Sequence, residues 1–410
     1  PQSISVITAA KVADQASQTM QDALRYTAGV RSELYGMDNR GDWFSMRGGS
    51  EGSVLVDGLR LPLGTGYGNI RNEPYAFERI EVIRGPASVI AGQNGPGGVV
   101  NLVSKRPHAD GLSEIGVQYG SYDHRQIQLD INDSLNPANT LLYRVVALGR
   151  DTGTQVDHAD EQRTLFAPSM IWSPYAGTVF TAYAEYQKDR SDNTNAFFPI
   201  NGTLERAPNG RIPMSTFIGE PDWDRYGGTR KRGGWELTQT LTDTWTLRHR
   251  LRHDRLEGDQ LSMYANWLDG YVDANGEADP NGTYLNRTWY GNEETLRVTN
   301  ADLLFEGKLR TGNVEHTLLV GADTLKSDDE STFSNGDATP LDVYNPVYGS
   351  FPKPAVTGES TVVEGRNLGL LLQDQIKIDQ RCVLIAGLRQ DRLKSRVEDE
   401  SVKDRVVSKK

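Results

Sequence analysis

The sequence has no long apolar run. No stretch of its 410 residues approaches the roughly 18 consecutive apolar residues that a membrane-spanning helix needs. This excludes a helical membrane protein but not a β-barrel, because a barrel strand turns only every second residue to lipid and its apolar signal is halved. The 42 glycines, 17 tyrosines and 7 tryptophans suit a protein with many turns and interfacial aromatic side chains.

The sequence also lacks an excess of basic residues and has few residues of the types that bind zinc. Its formal net charge is -11, so a nucleic-acid partner is not expected, because phosphate binding needs a basic face. The single cysteine, Cys382, cannot form an intrachain disulfide, and the six histidines are scattered, so we expect no metal site. The apolar run 383–385 after Cys382 predicts that this thiol is buried in a strand. No catalytic constellation stands out, and an enzyme is not expected.

Residues 1–107 have the mixed pattern of a small α+β domain. Segment 18–27 places Met20 and Leu24 at helical spacing, and Gly29 predicts the end of that helix. Three short β-rich segments follow, at residues 53–58, 79–84 and 98–103.

From about residue 112 the pattern changes to a period of two. Ile127, Leu129 and Ile131 alternate with polar residues, which predicts a strand with one apolar face. The same alternation recurs in four later segments: 179–186, 245–252, 314–320 and 368–372. We therefore assign residues 112–410 to a second, all-β domain.

The predicted strands of this domain are joined alternately by tight turns and by longer loops. The longer loops are predicted at residues 151–160, 190–232, 266–286 and 328–362. Short turns on one side and long loops on the other are typical of outer-membrane barrels. Counting in this way gives about eleven strands, whereas plugged transporter barrels have about 22. We therefore expect the chain to hold about half of a barrel, as a fragment.

The first hundred residues resemble, along nearly their whole length, the plug of TonB-dependent siderophore receptors of the ferrichrome-receptor type. The matching segments occur in that family's order: 1–7 (PQSISVI), 24–30 (LRYTAGV), 46–48 (MRG), 56–58 (VDG), 77–86 (FERIEVIRGP) and 95–107 (GPGGVVNLVSKRP). The resemblance implies a mainly β protein, in which a small α+β plug at residues 1–107 precedes an antiparallel transmembrane β-barrel.

This resemblance also implies a function in the outer membrane of a Gram-negative bacterium. A receptor of this family would bind a ferric siderophore as cargo, without a resident cofactor, and import it with energy from the TonB–ExbB–ExbD complex. Membrane lipid and lipopolysaccharide would be its other partners. Haem, cobalamin or glycan cargo is the alternative within the family, and a non-transporting surface protein is the alternative outside it. A porin needs no plug, so residues 1–107 disfavour that class.

Five residues are candidates for ligand contact at the extracellular end of the plug. Arg47, Tyr75 and Gly64 match positions at which ferrichrome-type receptors touch their ligand, and Trp43 and Tyr67 are added because of their chemistry. Hydroxamate or catecholate oxygens accept hydrogen bonds from arginine, while tyrosine and tryptophan offer flat faces with a polar tip. Alternatively, Arg47 bonds plug carbonyls and Tyr75 fills a gap between plug and barrel.

Four further arginines are candidates for holding the plug in the barrel. The resemblance implies that Arg84 pairs with glutamates of the inner barrel wall, in the half that this chain lacks. Arg248, Arg250 and Arg252 share one face of a predicted strand whose other face is apolar, so we expect them to point into the lumen. Contact with the plug is the favoured interpretation of these three, and contact with an anionic ligand is the alternative.

Two loop segments have open interpretations. The aromatic residues at 197–198 and 223–226 fit a siderophore gate, ordinary loop packing or a phage docking surface. The acidic run 328–330 is predicted to lie in a loop, where it is solvated or, alternatively, binds calcium.

Overall fold

The computed structural model describes residues 3–48, 52–61, 70–85, 92, 97–266, 270–279, 281–379, 381–399 and 402–405. Two predicted ligand residues, Gly64 and Tyr67, lie outside this described part of the chain. Among the described residues, no helix is long and apolar enough to cross a membrane.

The N-terminal part of the chain, here called the plug, is built on a five-stranded sheet in the order β1-β6-β7-β4-β5. Only the β4–β7 pairing is parallel. The elements of the plug are β1 (Ser3–Thr8), α1 (Ala9–Asp14), α2 (Met20–Leu24), β2 (Val30–Ser32), β3 (Phe44–Met46), β4 (Ser53–Val56), β5 (Leu59–Arg60), β6 (Phe77–Arg84) and β7 (Gly98–Ser104). The three predicted β-rich segments are confirmed as β4, β6 and β7.

The predicted helix is confirmed in position but is shorter than segment 18–27. It starts at a capping box, in which the Asp22 amide donates to Thr19 Oγ1 and the Thr19 amide donates to Asp22 Oδ2, both at 3.1 Å. The helix ends at Leu24, and Gly29 then adopts a φ of +74° that a side chain would strain.

The plug core continues into the barrel wall. Ile7, Leu24 and Phe77 of the plug are 2% exposed or less, and they belong to one cluster with Val146 and Leu165 of the wall. Full burial of each such side chain contributes about 1.5–3 kcal/mol to stability. The plug therefore completes its core only against the wall.

The remaining strands form one sheet of 13 strands, here called the wall, in which all neighbouring strands are antiparallel. Eleven of its described strands have six or more residues, as the predicted count requires. The strands are β8 (Glu114–Tyr119), β9 (Arg125–Ser134), β10 (Leu141–Gly153), β11 (Asp160–Trp172), β12 (Thr178–Ser191), β13 (Arg225–Thr240), β14 (Trp245–Ala265), β15 (Tyr271–Val272), β16 (Tyr284–Thr311), β17 (Val314–Asp342), β18 (Ser360–Ile378), β19 (Cys382–Asp399) and β20 (Val402–Arg405).

Tight turns alternate with long connections along the wall, as predicted. The tight turns are at residues 135–140, 173–177, 241–244 and 312–313, and a further short connection joins β18 to β19. The longest fully described connections are at residues 192–224 and 343–359, and β15 lies between β14 and β16. By the usual asymmetry of outer-membrane barrels, the side with the long connections is the extracellular side.

The predicted loop at residues 328–362 is largely wrong. Strand β17 continues to Asp342, so the acidic run 328–330 lies within a strand, and the loop is confined to residues 343–359. The reason is that β16 and β17 remain paired far beyond the apolar segment. The polar parts of β16 and β17 that lie towards the long connections form a hairpin, and the pairing sets its register. A polar sequence alone therefore does not mark the end of a strand.

Cys382 lies in a strand, as predicted, but it is exposed rather than buried. Arg389 of β19 points to the inner face of the wall, because a Cβ on Gly92 of the plug would be 3.0 Å from its Nη2. Cys382 lies an odd number of residues from Arg389 and points to the outer face. The protein does not cover that face of the wall, and the apolar run after Cys382 therefore does not imply burial.

Candidate ligand site and plug-docking contacts

Glu73 anchors the plug to the wall. Its carboxylate is 1% exposed and accepts hydrogen bonds from Arg150 Nη1 and Arg163 Nη1, both at 2.9 Å to Oε2. Arg163 also donates to Asp189 at 2.6 Å. The Pro74–Ala76 turn that follows Glu73 begins with a proline, which fixes the direction of the chain at this contact.

The residues before Glu73 continue the same contact. The Ile70 carbonyl and the Asn72 side chain both accept from Arg230 Nη1 at 3.3 Å, and the Arg71 carbonyl accepts from Gln187 Nε2 at 2.7 Å. Segment 70–73 is thus bound to strands β10, β11, β12 and β13. Because a buried polar group without a partner is costly, these contacts fix the plug in one orientation.

Arg250 and Arg252 form a second plug contact, which confirms the predicted lumenal orientation of this face. Arg250 Nη1 donates to the Asp57 carbonyl at 2.6 Å, and Arg252 Nη2 donates to the Arg60 carbonyl at 2.5 Å. Arg248 instead pairs with a glutamate of β16 at 3.1 Å. Two of the three arginines therefore bind the plug, as the favoured interpretation required.

Tyr75 lies in a third contact between plug and wall. Its hydroxyl donates to Glu114 Oε1 at 2.8 Å, and Lys105 Nζ lies 3.9 Å from the centre of its ring. Lys105 in turn pairs with Asp130 of β9 at 2.7 Å. Beside these residues is a cavity of about 390 Å³ between plug and wall. This position matches the alternative interpretation of Tyr75, while its ligand contact stays a prediction.

Arg40 is a candidate ligand residue that the sequence reasoning missed. Its guanidinium donates to both carboxylate oxygens of Asp38, at 2.9 and 2.6 Å, and to the Tyr264 hydroxyl at 2.8 Å. The Arg40 carbonyl accepts from the Tyr226 hydroxyl at 2.6 Å. Phe197 lies beneath the guanidinium at 5.6 Å. The only sequence signal was the dipeptide Arg40-Gly41, which has the same form as the selected pair Arg47-Gly48.

Trp43 follows Arg40 by three residues in the same segment of the plug. Its indole packs on Gly41, where an added Cβ would be 3.0 Å from the ring, and it meets Tyr35 edge-on at 5.8 Å. The buried Nε1 of Trp43 has no hydrogen-bond partner within the described ranges. An indole donor is usually paired when it is buried, and ligand contact by Trp43 stays a prediction.

Aromatic rings continue from Arg40 along the wall. Phe197 and Tyr264 are 5.1 Å apart, Tyr264 and Tyr290 are 5.1 Å apart, and Tyr290 and Phe333 are 6.1 Å apart. Arg40, Trp43, Phe197, Tyr264 and Tyr290 are here called the apical cluster. Arginine donors beside flat aromatic faces are suited to an oxygen-rich, planar ligand.

Arg47 lies close to Arg84, since both side chains approach Gly29. A Cβ on Gly85 would be 3.6 Å from Arg47 Nη1, and Arg47 has no ion-pair partner in the part of the chain that is described. Arg84 donates to the Ala28 carbonyl at 2.7 Å and to Ser5 Oγ at 2.9 Å. Arg47 and Arg84 thus lie beside each other around Gly29 and Gly85. The wall partner of Arg84 remains a prediction.

The loop at residues 192–224 is packed against the hairpins in its second half. Glu220 and Arg287 pair at 3.0 Å with both side chains 1% exposed. Trp223 donates to the Pro354 carbonyl at 3.2 Å and meets Phe351 edge-on at 5.0 Å. Ordinary loop packing therefore describes residues 220–224 better than a gate does.

No group of three or more histidine, cysteine, aspartate or glutamate side chains is arranged to hold a metal ion in the described structure.

Two family models match the chain. The TonB-dependent receptor plug domain matches residues 1–99, and the TonB-dependent receptor-like β-barrel matches residues 166–409. These matches cover most of the chain, and their order is that of the plug and the wall.

Named proteins with similar sequences include receptors for ferrichrome and ferrioxamine. The ferrichrome outer membrane transporter/phage receptor of Escherichia coli (strain K12) is 32% identical and covers 94% of this chain. The ferrioxamine B receptor of Salmonella typhimurium (strain SL1344) is 30% identical and covers 96% of it. The chain spans about half the length of these relatives, 54% and 55% respectively.

Solved structures agree in fold. The ferric-catecholate import receptor Fiu of Escherichia coli K12, in its closed form, superposes with a TM-score of 0.85 at 20% identity. The match covers 97% of this chain and 57% of that structure. At this identity the likeness concerns the fold alone.

Glu73→Gln is expected to weaken plug docking. Breaking a buried ion pair by removing one partner costs about 3–5 kcal/mol, since the remaining charge is left unpaired. The measurement is calorimetric unfolding of the full-length protein in detergent, and we expect a lower transition temperature for the plug. Glu78→Gln is the matched control, because Glu78 is 46% exposed and makes one contact with Arg144. Equal losses for the two variants would contradict this assignment.

The ion pairs of Glu73 with Arg150 and Arg163 should be lost only at acidic pH. Burial would raise the pKa of Glu73, but Arg150 and Arg163 outweigh burial and hold this pKa below the usual 4.5. The stabilisation is therefore complete above that unfolded value and is lost as the pH falls through the lower folded pKa. We expect the difference in transition temperature between wild type and Glu73→Gln to stay constant from about pH 7 to about pH 5. Below the unfolded pKa this difference should shrink. A difference that shrinks near neutral pH would contradict the assignment.

Proposed function

Because the chain belongs to the TonB-dependent receptor family, we propose that the protein is an outer-membrane receptor that binds a ferric siderophore and imports it with energy from TonB. The names of its relatives support this cargo, since they describe ferrichrome and ferrioxamine receptors. We also propose that the plug comprises residues 1–107 and the barrel half residues 112–410; the end of the plug sheet at Ser104 and the start of the wall at Glu114 support this division.

The observation that carries the proposal is the apical cluster. It lies at the extracellular end of a plug that is held by buried ion pairs, and in it Asp38 and the Tyr264 hydroxyl fix the guanidinium of Arg40 beside the ring of Phe197. A siderophore complex presents anionic oxygens and flat chelating groups, which match these donors and aromatic faces. A plain pore needs neither a docked plug nor such a site.

Energy for transport requires contact with TonB and its ExbB and ExbD partners. The family membership supports the TonB contact, and the plug is the part of the chain that would have to move. The barrier to this movement is set by the ion pairs at Glu73 and Lys105, and by the carbonyl contacts of Arg250 and Arg252. These contacts are individually short-ranged, so a displacement of a few ångströms breaks them.

Trp43→Phe tests the ligand site. This substitution keeps an aromatic ring and removes the indole donor, so we expect about a tenfold weaker siderophore affinity, the loss of one hydrogen bond to a charged acceptor. Ferrichrome, ferrioxamine B, a ferric catecholate, haemin and cobalamin would be titrated calorimetrically against the full-length protein. Trp172→Phe, an exposed tryptophan of β11, is the control.

Unchanged affinity in Trp43→Phe would exclude Trp43 from the site, and binding of haemin or cobalamin alone would refute the siderophore proposal. Alanine variants of the other predicted contacts, Arg47, Tyr75, Gly64 and Tyr67, are tested in the same titration. Arg40→Ala is added to this set because of its place in the apical cluster.

Lipopolysaccharide is the proposed partner of the outer face of the wall. Above the apolar belt, Lys326 lies directly opposite Arg366, and Arg366 lies opposite Lys394. Like charges directly opposite each other destabilise a sheet unless anions neutralise them. These three side chains have no ion-pair partner among the residues that the structure describes. Phosphate-bearing headgroups of the outer leaflet would supply the missing negative charge.

The double variant Lys326→Gln/Arg366→Gln should retain less lipopolysaccharide. Each basic residue near a charged membrane surface contributes about 1 kcal/mol, so the pair contributes roughly a thirtyfold affinity. The measurement is the amount of lipopolysaccharide that co-purifies from native membranes. Lys308→Gln is the control, because Lys308 of β16 lies near the turn at residues 312–313, at the other end of these strands. Equal retention of lipopolysaccharide by both variants would contradict the proposal.

A further inference from the structure

The positive charge of Arg40 in the apical cluster is neutralised inside the protein. Asp38 accepts from Arg40 Nε at 2.9 Å and from Arg40 Nη2 at 2.6 Å, and its Oδ1 also accepts from the Arg40 amide at 3.0 Å. The side chains of Arg40 and Asp38 are 7% and 0% exposed, respectively. A bidentate pair of this kind combines strong hydrogen bonds with a fixed geometry. The pair as a whole therefore carries no net charge.

The start of the 192–224 loop holds Asp38 in this position. Asn195 Nδ2 donates to Asp38 Oδ2 at 3.0 Å, and Asn195 is itself buried. Thr194 Oγ1 donates to the carbonyl of Met37, the residue before Asp38, at 3.0 Å. The Asp38 carboxylate thus has partners on two sides. It cannot turn away from the arginine without leaving buried polar groups unpaired, which is costly.

Aromatic rings lie along the guanidinium of Arg40. Its central carbon is 5.6 Å from the centre of the Phe197 ring and 5.5 Å from the centre of the Tyr264 ring. Phe197 and Phe333, at the two ends of the aromatic row, are 41% and 40% exposed, respectively. The cluster therefore presents aromatic surface around an arginine whose charge is already compensated by the protein.

The extracellular end of the wall is acidic. A cavity of about 1040 Å³ is lined there mainly by β12, β13, β14, β16 and β17 and by residues 222–224. Ten carboxylate residues line this cavity against three basic ones, and the whole chain has a net charge of -11. A surface of one sign lowers the local concentration of ligands of the same sign. This observation is independent of Arg40, and it also disfavours an anionic ligand.

We propose that Asp38 determines the charge specificity of the apical cluster, which selects iron chelates without a net negative charge. This inference rests on the proposed siderophore-binding function and deepens it. Three hydroxamate groups balance the charge of Fe³⁺, so a ferric tris-hydroxamate is neutral. Three catecholate groups exceed this charge and leave a strongly anionic complex. A neutral chelate offers its oxygens and flat faces to the cluster, whereas a strongly anionic chelate requires an uncompensated positive charge.

Removal of one partner changes the net charge of the cluster by one unit. Asp38→Asn leaves Arg40 uncompensated, so the cluster becomes positive, and Arg40→Gln leaves Asp38 uncompensated, so the cluster becomes negative. The pair is buried, and salt therefore screens its charge only weakly. At an effective dielectric constant of about 20, a unit charge about 10 Å from a charged chelate changes the affinity by at least about tenfold.

The test titrates chelates of different charge against the full-length protein in detergent by calorimetry. The probes are a neutral ferric tris-hydroxamate, a ferric tris-hydroxamate that carries an ammonium group, and a ferric tris-catecholate. The measured quantity is the ratio of two affinities within one variant. A general loss of site structure lowers all three affinities together, so it does not reverse a ratio from one variant to the next.

Wild type should bind the neutral chelate at least about tenfold more tightly than the tris-catecholate. Asp38→Asn should raise the affinity for the tris-catecholate relative to the neutral chelate by at least about tenfold. Arg40→Gln should raise the affinity for the ammonium-bearing chelate relative to the neutral one by about tenfold. The double variant Asp38→Asn/Arg40→Gln removes both charges and should return both ratios to the wild-type values.

Asp259→Asn is the matched control. Asp259 also pairs with an arginine, Arg225, at the extracellular end of the wall, but their side chains are 41% and 49% exposed, respectively. Water and salt screen these exposed charges, so both ratios should equal those of wild type. Unchanged ratios in Asp38→Asn and Arg40→Gln, or a wild-type preference for the tris-catecholate, would overturn the charge specificity while leaving siderophore binding intact. Absence of binding of all three chelates to wild type would instead refute the proposed function, and this inference with it.

Discussion

The buried carboxylate of Glu73, bound between Arg150 and Arg163, is the interaction on which the rest of the structure depends. A barrel lumen lined with charged side chains is unfavourable when it is dry, and a plug with buried ionised groups is unfavourable when it is alone. Each part supplies the partners that the other lacks. The hydrophobic cluster that includes Val146 and Leu165 depends on both parts in the same way, because its side chains are fully buried only when plug and wall are in contact.

This mutual dependence divides the plug into two sides. Segment 70–73 and the carbonyls of residues 57 and 60 face the described wall and are bound to it. Arg47 and Arg84 lie on a side where the described residues supply no wall partner for either guanidinium. The apical cluster lies above the bound side, where Tyr264 and Phe197 belong to the wall and its loop. Ligand contact and plug docking are therefore made by neighbouring parts of the same surface.

The sequence predicted local secondary structure well and contacts between residues far apart in the chain poorly. Period-two alternation located the strands, and it placed Arg250 and Arg252 in the lumen, because alternation is a property of neighbouring residues. The contact between Glu73 and Arg150 spans 77 residues and has no local signal. The same holds for Arg40, whose aromatic partners come from three distant segments. The strand that contains the acidic run 328–330 was missed, because its register is set by β16.

The plug sheet has β1 at its edge, where the strand pairs only with β6, over six residues from Ser3 to Thr8. The other four strands do not depend on it for their own pairing. The polar contacts with the wall described above lie outside β1, at segment 70–73, at Tyr75, at residues 57 and 60, and at Lys105. A mechanical load on the N-terminal end of the plug would thus meet the β1–β6 pairing first. Because Ile7 of β1 is buried in the core that plug and wall share, removing this strand would also open that core.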